Sequence, residues 1–116
     1  MSALKGQCLC GGVQAEGRRT AEIAICHCKM GQRWHGGPSI AVRFSDGIQV
    51  VSGDAALAWY QSSDWAERGF CNMCGSTMFY RAIEAPDELS GEAGSFDLPD
   101  GLPISEHYFI DEKPDY

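Results

Sequence analysis

The chain has 116 residues, 44% of them hydrophobic, and a formal charge of −7 at neutral pH. That length suits one domain spanning residues 1–116, and the negative balance argues against a nucleic-acid partner, whose phosphates would repel it. No apolar run approaches a membrane span and the start "MSALKGQCLC" lacks the apolar region of a signal peptide, so a cytoplasmic protein with no membrane partner is expected. In that setting six cysteines point to thiols or metal ligands rather than disulfides.

Fourteen glycines separate short aromatic and β-branched clusters, a pattern of short strands and many turns. In chain order, "GGVQAEG" alternates weakly and predicts a strand ending at Gly17. "AEIAIC" predicts a short apolar strand delivering Cys26. "KMGQRW" has brief helical propensity, weakened by Gly31, and suits a turn or one helical turn. "SIAVRF", the turn "SDG" and "IQVVSG" read as a β-hairpin. "ALAWYQSS" leans to strand, and "TMFYRA" reads as a strand. "APDELSGEAG" and "FDLPDGLP" read as loops, and "ISEHYFID" as a last strand before the tail "EKPDY". The acidic residues crowded into the last third, from Glu84 to Asp115, read as a solvated face.

Three cysteine pairs carry the chemistry: Cys8 with Cys10, Cys26 with Cys28, and Cys71 with Cys74. Cys71-Asn72-Met73-Cys74-Gly75 has the spacing of a zinc-knuckle half-site, where the glycine lets the backbone turn and direct N–H groups at the thiolates. A second pair must come from far along the chain, and spacing alone admits either of the other two. Gly11 and Gly12 after Cys10 match the glycine after Cys74, which favours Cys8, Cys10, Cys71 and Cys74 as a structural zinc site. Gly11, Gly12 and Gly75 are the expected sources of N–H donors. Ordinary buried cysteines are the plainer alternative.

The pieces "GQCLCGGV", "CHCKMGQRWHGG", "RGFCNMCGSTMF" and "GSFDLPDGLPISEHYFIDEKPDY" together resemble the glutathione-dependent formaldehyde-activating enzyme family, which includes centromere protein V-like proteins. The resemblance spans nearly the whole chain. It implies an all-β zinc-containing fold of coiled short sheets, related to that of methionine-R-sulfoxide reductases. It implies a structural zinc on Cys8, Cys10, Cys71 and Cys74, in agreement with the pairing above. It also implies a second, catalytic zinc on a Cys-x-Cys-x-x-Cys run, which maps here onto Cys26, Cys28 and Gly31, so the third ligand is missing. The implied activity is a carbon–sulfur lyase reaction joining formaldehyde to glutathione, and its reverse, with Cys26 and Cys28 at the catalytic position.

A catalytic zinc commonly keeps three protein ligands and one open place. His35, close in sequence, is a candidate substitute for the missing ligand, as is a second water, against the commoner role of a hydrogen-bonding loop histidine. His27, between the two cysteines, is expected to point away from them, and His107 to be an ordinary strand histidine. A strained Cys26–Cys28 disulfide is the redox alternative. A glutathione partner needs cations for its carboxylates; Lys29 and Arg33 are nearest in sequence, with Arg43, Arg68 and Arg81 further off. Trp34, Trp59, Trp65, Phe70 and Phe79 suit either a pocket lining or the core, and Ser62 and Ser63 match the family pattern without an assigned role. Two function classes follow: a lyase on a glutathione–aldehyde adduct, or a non-catalytic thiol-binding or carrier protein with only a structural zinc. Gly31 separates them.

Overall fold

The computed structural model describes residues 3–116, and within them the chain is all-β apart from one short helix. The elements are β1 (Ala3–Gln7), β2 (Gln14–Arg18), β3 (Ala21–Cys26), α1 (Lys29–His35), β4 (Ser39–Phe44) and β5 (Ile48–Ser52). They continue as β6 (Leu57–Gln61), β7 (Ala66–Cys71), β8 (Thr77–Ala82), β9 (Ser90–Glu92) and β10 (Ile104–Tyr108). Single 3₁₀ turns lie at Ala93–Ser95 and Ile110–Glu112. A three-stranded sheet has the order β1-β2-β5, and a seven-stranded sheet the order β10-β3-β4-β9-β8-β7-β6. All pairings are antiparallel except that of β10 with β3.

The expected hairpin over residues 39–53 does not form. β4 pairs with β3 on one side and β9 on the other, while β5 crosses to the small sheet and pairs with β2. The reason lies in a double bend. Arg19 takes a left-handed conformation (φ 76°) between β2 and β3, beside the turn Ser45-Asp46-Gly47 between β4 and β5. The Ser45 and Asp46 N–H groups donate to the Thr20 and Arg18 carbonyls, and the Arg18 N–H donates to the Gly47 carbonyl. Two long bent strands therefore run side by side through the corner, from one sheet into the other. Turn chemistry was legible at "SDG", but a turn signal cannot distinguish a hairpin from a corner.

Three strands lay outside the expectations. β1 was masked by its glycine and lysine, β7 by the charged "AERGF", and β9 sits inside the stretch read as a loop. The last strand ends at Tyr108, earlier than expected, because Phe109 turns left-handed (φ 55°) into the 3₁₀ turn. Helix α1 runs seven residues despite Gly31. Its ends explain its length: the Cys28 sulfur accepts the Gly31 N–H, and left-handed Gly36 donates its N–H to the Gln32 carbonyl. Trp34 anchors the helix by stacking on Tyr60, meeting Phe70 edge-on and donating its indole N–H to Thr77 Oγ1 at 2.6 Å.

The period of two along the strands divides the large sheet into two working faces. One face meets the small sheet in a core that includes Val13, Ala15, Val42, Phe44, Ile48, Phe79 and Phe96. The other carries Cys26, Ser39, Arg68, Tyr80 and Glu92 around a cavity. Where β5 ends, Gly53 (φ 87°) presses against the first loop, and a Cβ there would lie 1.9 Å from the Gly12 carbonyl oxygen. Neither backbone segment can yield, so Gly53→Ala is expected to cost about 2–4 kcal/mol. Denaturant unfolding checks this; a loss below half a kcal/mol would contradict the packing. No described helix is long and apolar enough to cross a membrane.

Candidate functional site

Two separate cysteine groups emerge. Cys8 and Cys10 follow β1, Cys71 ends β7, and Cys74 lies in the turn to β8. Their sulfurs all lie within 4.8 Å of one another, with Cys8–Cys10 at 3.6 Å and Cys10–Cys71 at 3.8 Å. Four thiolates around a zinc at the usual bond length stand about 3.8 Å apart, so this cluster could hold a metal ion in a closed tetrahedral site. It is the one such group among the described residues. Cys8 and Cys71 are buried, and the cluster ties the small sheet's first loop to the β7–β8 turn of the large sheet.

The thiolate charge is offset by donors only partly as expected. Gly12 donates its N–H to Cys10, but the other backbone donors are Val13 to Cys8 and Met73 to Cys71. Gly11 and Gly75, both left-handed, donate instead to the Cys8 and Cys71 carbonyls and so close the turns that aim their neighbours. The Ser76 hydroxyl sits 3.1 Å from the Cys74 sulfur. That hydroxyl, with the Ser76 N–H, brings the Cys74 thiol down to about 5. At Cys10 the Gly12 N–H pulls downward, but the Cys8 sulfur, burial and the remaining sulfurs outweigh it and push the thiol up to about 11. For Cys8, burial pushes upward, yet the Val13 N–H and the Cys10 and Cys71 sulfurs leave it lowered overall. A metal takes these thiols as thiolates, so filling the cluster releases protons and metal affinity falls as pH falls.

The second group is the pair Cys26 and Cys28, both free thiols opening into a cavity of about 520 Å³. β3 delivers Cys26 and the start of α1 delivers Cys28, with Gly31 in the same wall. Burial pushes the Cys26 thiol up; the neighbouring Cys28 sulfur adds to this, while the Cys28 N–H and the Arg68 charge act against it. The C-terminal segment holds this corner in place: Glu112 accepts the Lys29 N–H at 2.9 Å, and the Gln32 amide donates to the His27 and Glu112 carbonyls. A carboxylate on the first turn of a helix is favourably placed.

His35 does not reach the cysteine pair in this conformation. Its Nδ1 lies 3.0 Å from the Gly31 carbonyl oxygen and its Nε2 3.0 Å from Glu92 Oε2. Both ring nitrogens then act as donors, the pattern of an imidazolium. Burial pushes the imidazole down, but the Glu92 hydrogen bond and charge and the Gly31 carbonyl more than offset it, so the net shift is upward from 6.5. A raised value in the folded state means that this contribution to stability is complete below pH 6.5 and is lost as pH rises through the folded value. His35→Gln should therefore narrow its melting-temperature gap to the parent between pH 6 and pH 9. A gap that is unchanged or widens over that range would remove the ion pair.

His27 turns away from the cysteines, as expected: its Nε2 meets His107 Nδ1 at 3.0 Å with the rings nearly parallel, bridging β3 to β10. Of the candidate cations, Lys29, Arg43 and Arg68 line the cavity. Arg33 is exposed outside it, and Arg81 lies 3.6 Å over the Trp59 ring and pairs with Glu67. Of the aromatics, Trp65 reaches the cavity, Phe79 and Trp59 belong to the core, and Trp34 and Phe70 dock the helix. Ser63 is in the lining, while Ser62 bonds the Ala66 carbonyl and closes the β6–β7 turn. Sequence reasoning missed Ser39, Tyr80, Glu92 and Glu112. Only the alternation of "TMFYRA" could have placed one of them, Tyr80, opposite the buried Phe79.

A model of the family described as glutathione-dependent formaldehyde-activating enzyme matches residues 3–112. The chain belongs to that family. An uncharacterized lyase of Schizosaccharomyces pombe is 27% identical over 116 residues, covering 99% of this chain and 84% of the relative. The fold is similar to the crystal structure of a Rhodobacter sphaeroides protein, with a TM-score of 0.66, 26% identity, and coverage of 89% of this chain and 98% of that one. The chain thus has a four-cysteine cluster that could hold a metal ion and, at its cavity, the separate pair Cys26 and Cys28. A Cβ on Gly31 would sit 3.2 Å from the Cys28 sulfur, so position 31 adjoins the pair.

Proposed function

We propose that the protein is a carbon–sulfur lyase acting on glutathione–aldehyde adducts of the S-hydroxymethylglutathione type, with zinc in the Cys8, Cys10, Cys71 and Cys74 cluster as a structural ion. The observation that carries this is the placement of Cys26 and Cys28 side by side in a cavity that also holds Arg68 and Glu92, apart from the closed cluster. A second metal on Cys26 and Cys28 would supply a cation that favours ionisation of the substrate's thiol. In the cleavage direction the adduct's hydroxyl loses its proton, the carbonyl forms, and the carbon–sulfur bond breaks with its electron pair leaving on sulfur. Glu92, which lines the cavity and hydrogen-bonds His35, would take that proton and return it in the reverse direction. Trp65, 62% exposed, and Phe109 bring apolar surface to the lining.

One observation favours the alternative of a non-catalytic thiol-binding or carrier protein: no third ligand joins Cys26 and Cys28 among the described residues, and His35 is engaged elsewhere. Exchange NMR on glutathione mixed with formaldehyde separates the two. The lyase reading expects the intact protein to speed exchange between free thiol and adduct. It expects Cys28→Ser to reduce this by about a hundredfold or more while the four-cysteine cluster keeps its metal. Exchange no faster than in buffer, with glutathione still bound, would favour the carrier.

A further inference from the structure

Arg68 is the one buried cationic side chain among the described residues, only 7% exposed, and it lines the cavity beside Cys26 and Cys28. Its Nε has no hydrogen-bond partner, and no acid forms an ion pair with it. Of the four acids lining the cavity, Glu92 is engaged by His35, Glu112 by the Lys29 N–H and Glu106 by the Tyr108 hydroxyl, while Glu22 is exposed to solvent and makes no ion pair with Arg68. A buried guanidinium without a counter-charge is costly, and such a group persists where something else supplies the anion. The Tyr80 ring, 5.2 Å from the guanidinium carbon, holds the fork across the cavity floor. In a chain of charge −7, an unmatched cation at this depth is not a by-product of a basic surface.

We propose that Arg68 is the anion anchor of this cavity, receiving a carboxylate of the substrate beside the thiol pair. The site then selects thiol conjugates that carry a free carboxylate and discriminates against neutral ones. This rests on the cavity's being the substrate site, and it deepens that reading by naming the group that sets specificity. A guanidinium binds a carboxylate through paired N–H donors, and lysine reproduces the charge without the fork.

The test uses binding, not turnover. The intact, metal-loaded protein is titrated calorimetrically with S-methylglutathione and with its dimethyl ester, which has the same thioether and no free carboxylate. The expected result is at least about tenfold tighter binding of the acid. Arg68→Met should abolish that preference and Arg68→Lys should keep part of it. Equal binding of acid and ester by the parent, or no binding of either, overturns the proposal. So does an Arg68→Met protein with a native melting curve that still prefers the acid. If Arg68→Met fails to fold, the acid–ester comparison on the parent and the Arg68→Lys variant decide. Preference for the acid without accelerated exchange would leave the anchor standing and remove the lyase.

Discussion

Cys71→Ser, or removal of metal with a strong chelator under reducing conditions, is expected to lower the melting temperature by more than about 15 °C. Cys71 is fully buried at the end of β7, and its sulfur lies 3.8 Å from that of Cys10. Structural zinc contributes on the order of 10 kcal/mol in small domains, and each kcal/mol shifts the midpoint by about 4 °C at this chain length. Loss of less than half that contribution already gives the stated drop. A metal held by the cluster would tie the two sheets near the Gly53–Gly12 contact, so its loss should release β1 and the β7–β8 turn together. Elemental analysis beside the melting curve makes the result interpretable. A metal-free chain that melts within a few degrees of the loaded one would show that the cluster is not structural.

Gly31→Cys is expected to raise affinity for a second metal ion by about a hundredfold or more, from exchangeable to retained through gel filtration. Gly31 is buried in the cavity wall, its backbone is helical, and a Cβ would meet only the Cys28 sulfur at 3.2 Å. A shift of a few tenths of an ångström in that side chain accommodates it. The new thiolate would complete a three-sulfur set with the cavity as its open side. Parent and variant are compared by zinc per chain and by competition with a chromophoric chelator. A folded Gly31→Cys protein that binds no more metal than the parent would sink the idea that Gly31 is the gap in the second site. A rise in exchange rate alongside the second metal would tie that gap to the lyase chemistry.

The residues that could bind metal were legible because their chemistry is local. Two cysteines spaced by two residues and followed by glycine form a half-site wherever they fold, and the glycines at 11, 12 and 75 suggested its mate. Short runs rich in β-branched and aromatic residues, such as Ala21–Cys26 and Thr77–Ala82, were also readable, since that composition is written along the chain itself. Strand pairing was not. The Ser45-Asp46-Gly47 turn looks the same whether the chain folds back or rounds a corner, and the choice was made by Arg19 and Thr20, far away in sequence.

By itself, then, the sequence pointed to short strands and three cysteine pairs, and its family resemblance pointed to the all-β class and to Cys8, Cys10, Cys71 and Cys74 as one cluster, with Cys26 and Cys28 a separate pair. Only the tertiary structure decided what surrounds that pair. Arg68 is one of nine Lys and Arg residues, with nothing in its neighbours to mark it, and Glu92 sits in a stretch that reads as loop. Their placement comes from the pairing of β4 with β9 and of β7 with β8, which turns both side chains toward the cavity lined by Cys26. A buried charge and its missing partner are properties of the assembled sheet, because desolvation depends on every strand that closes around the group.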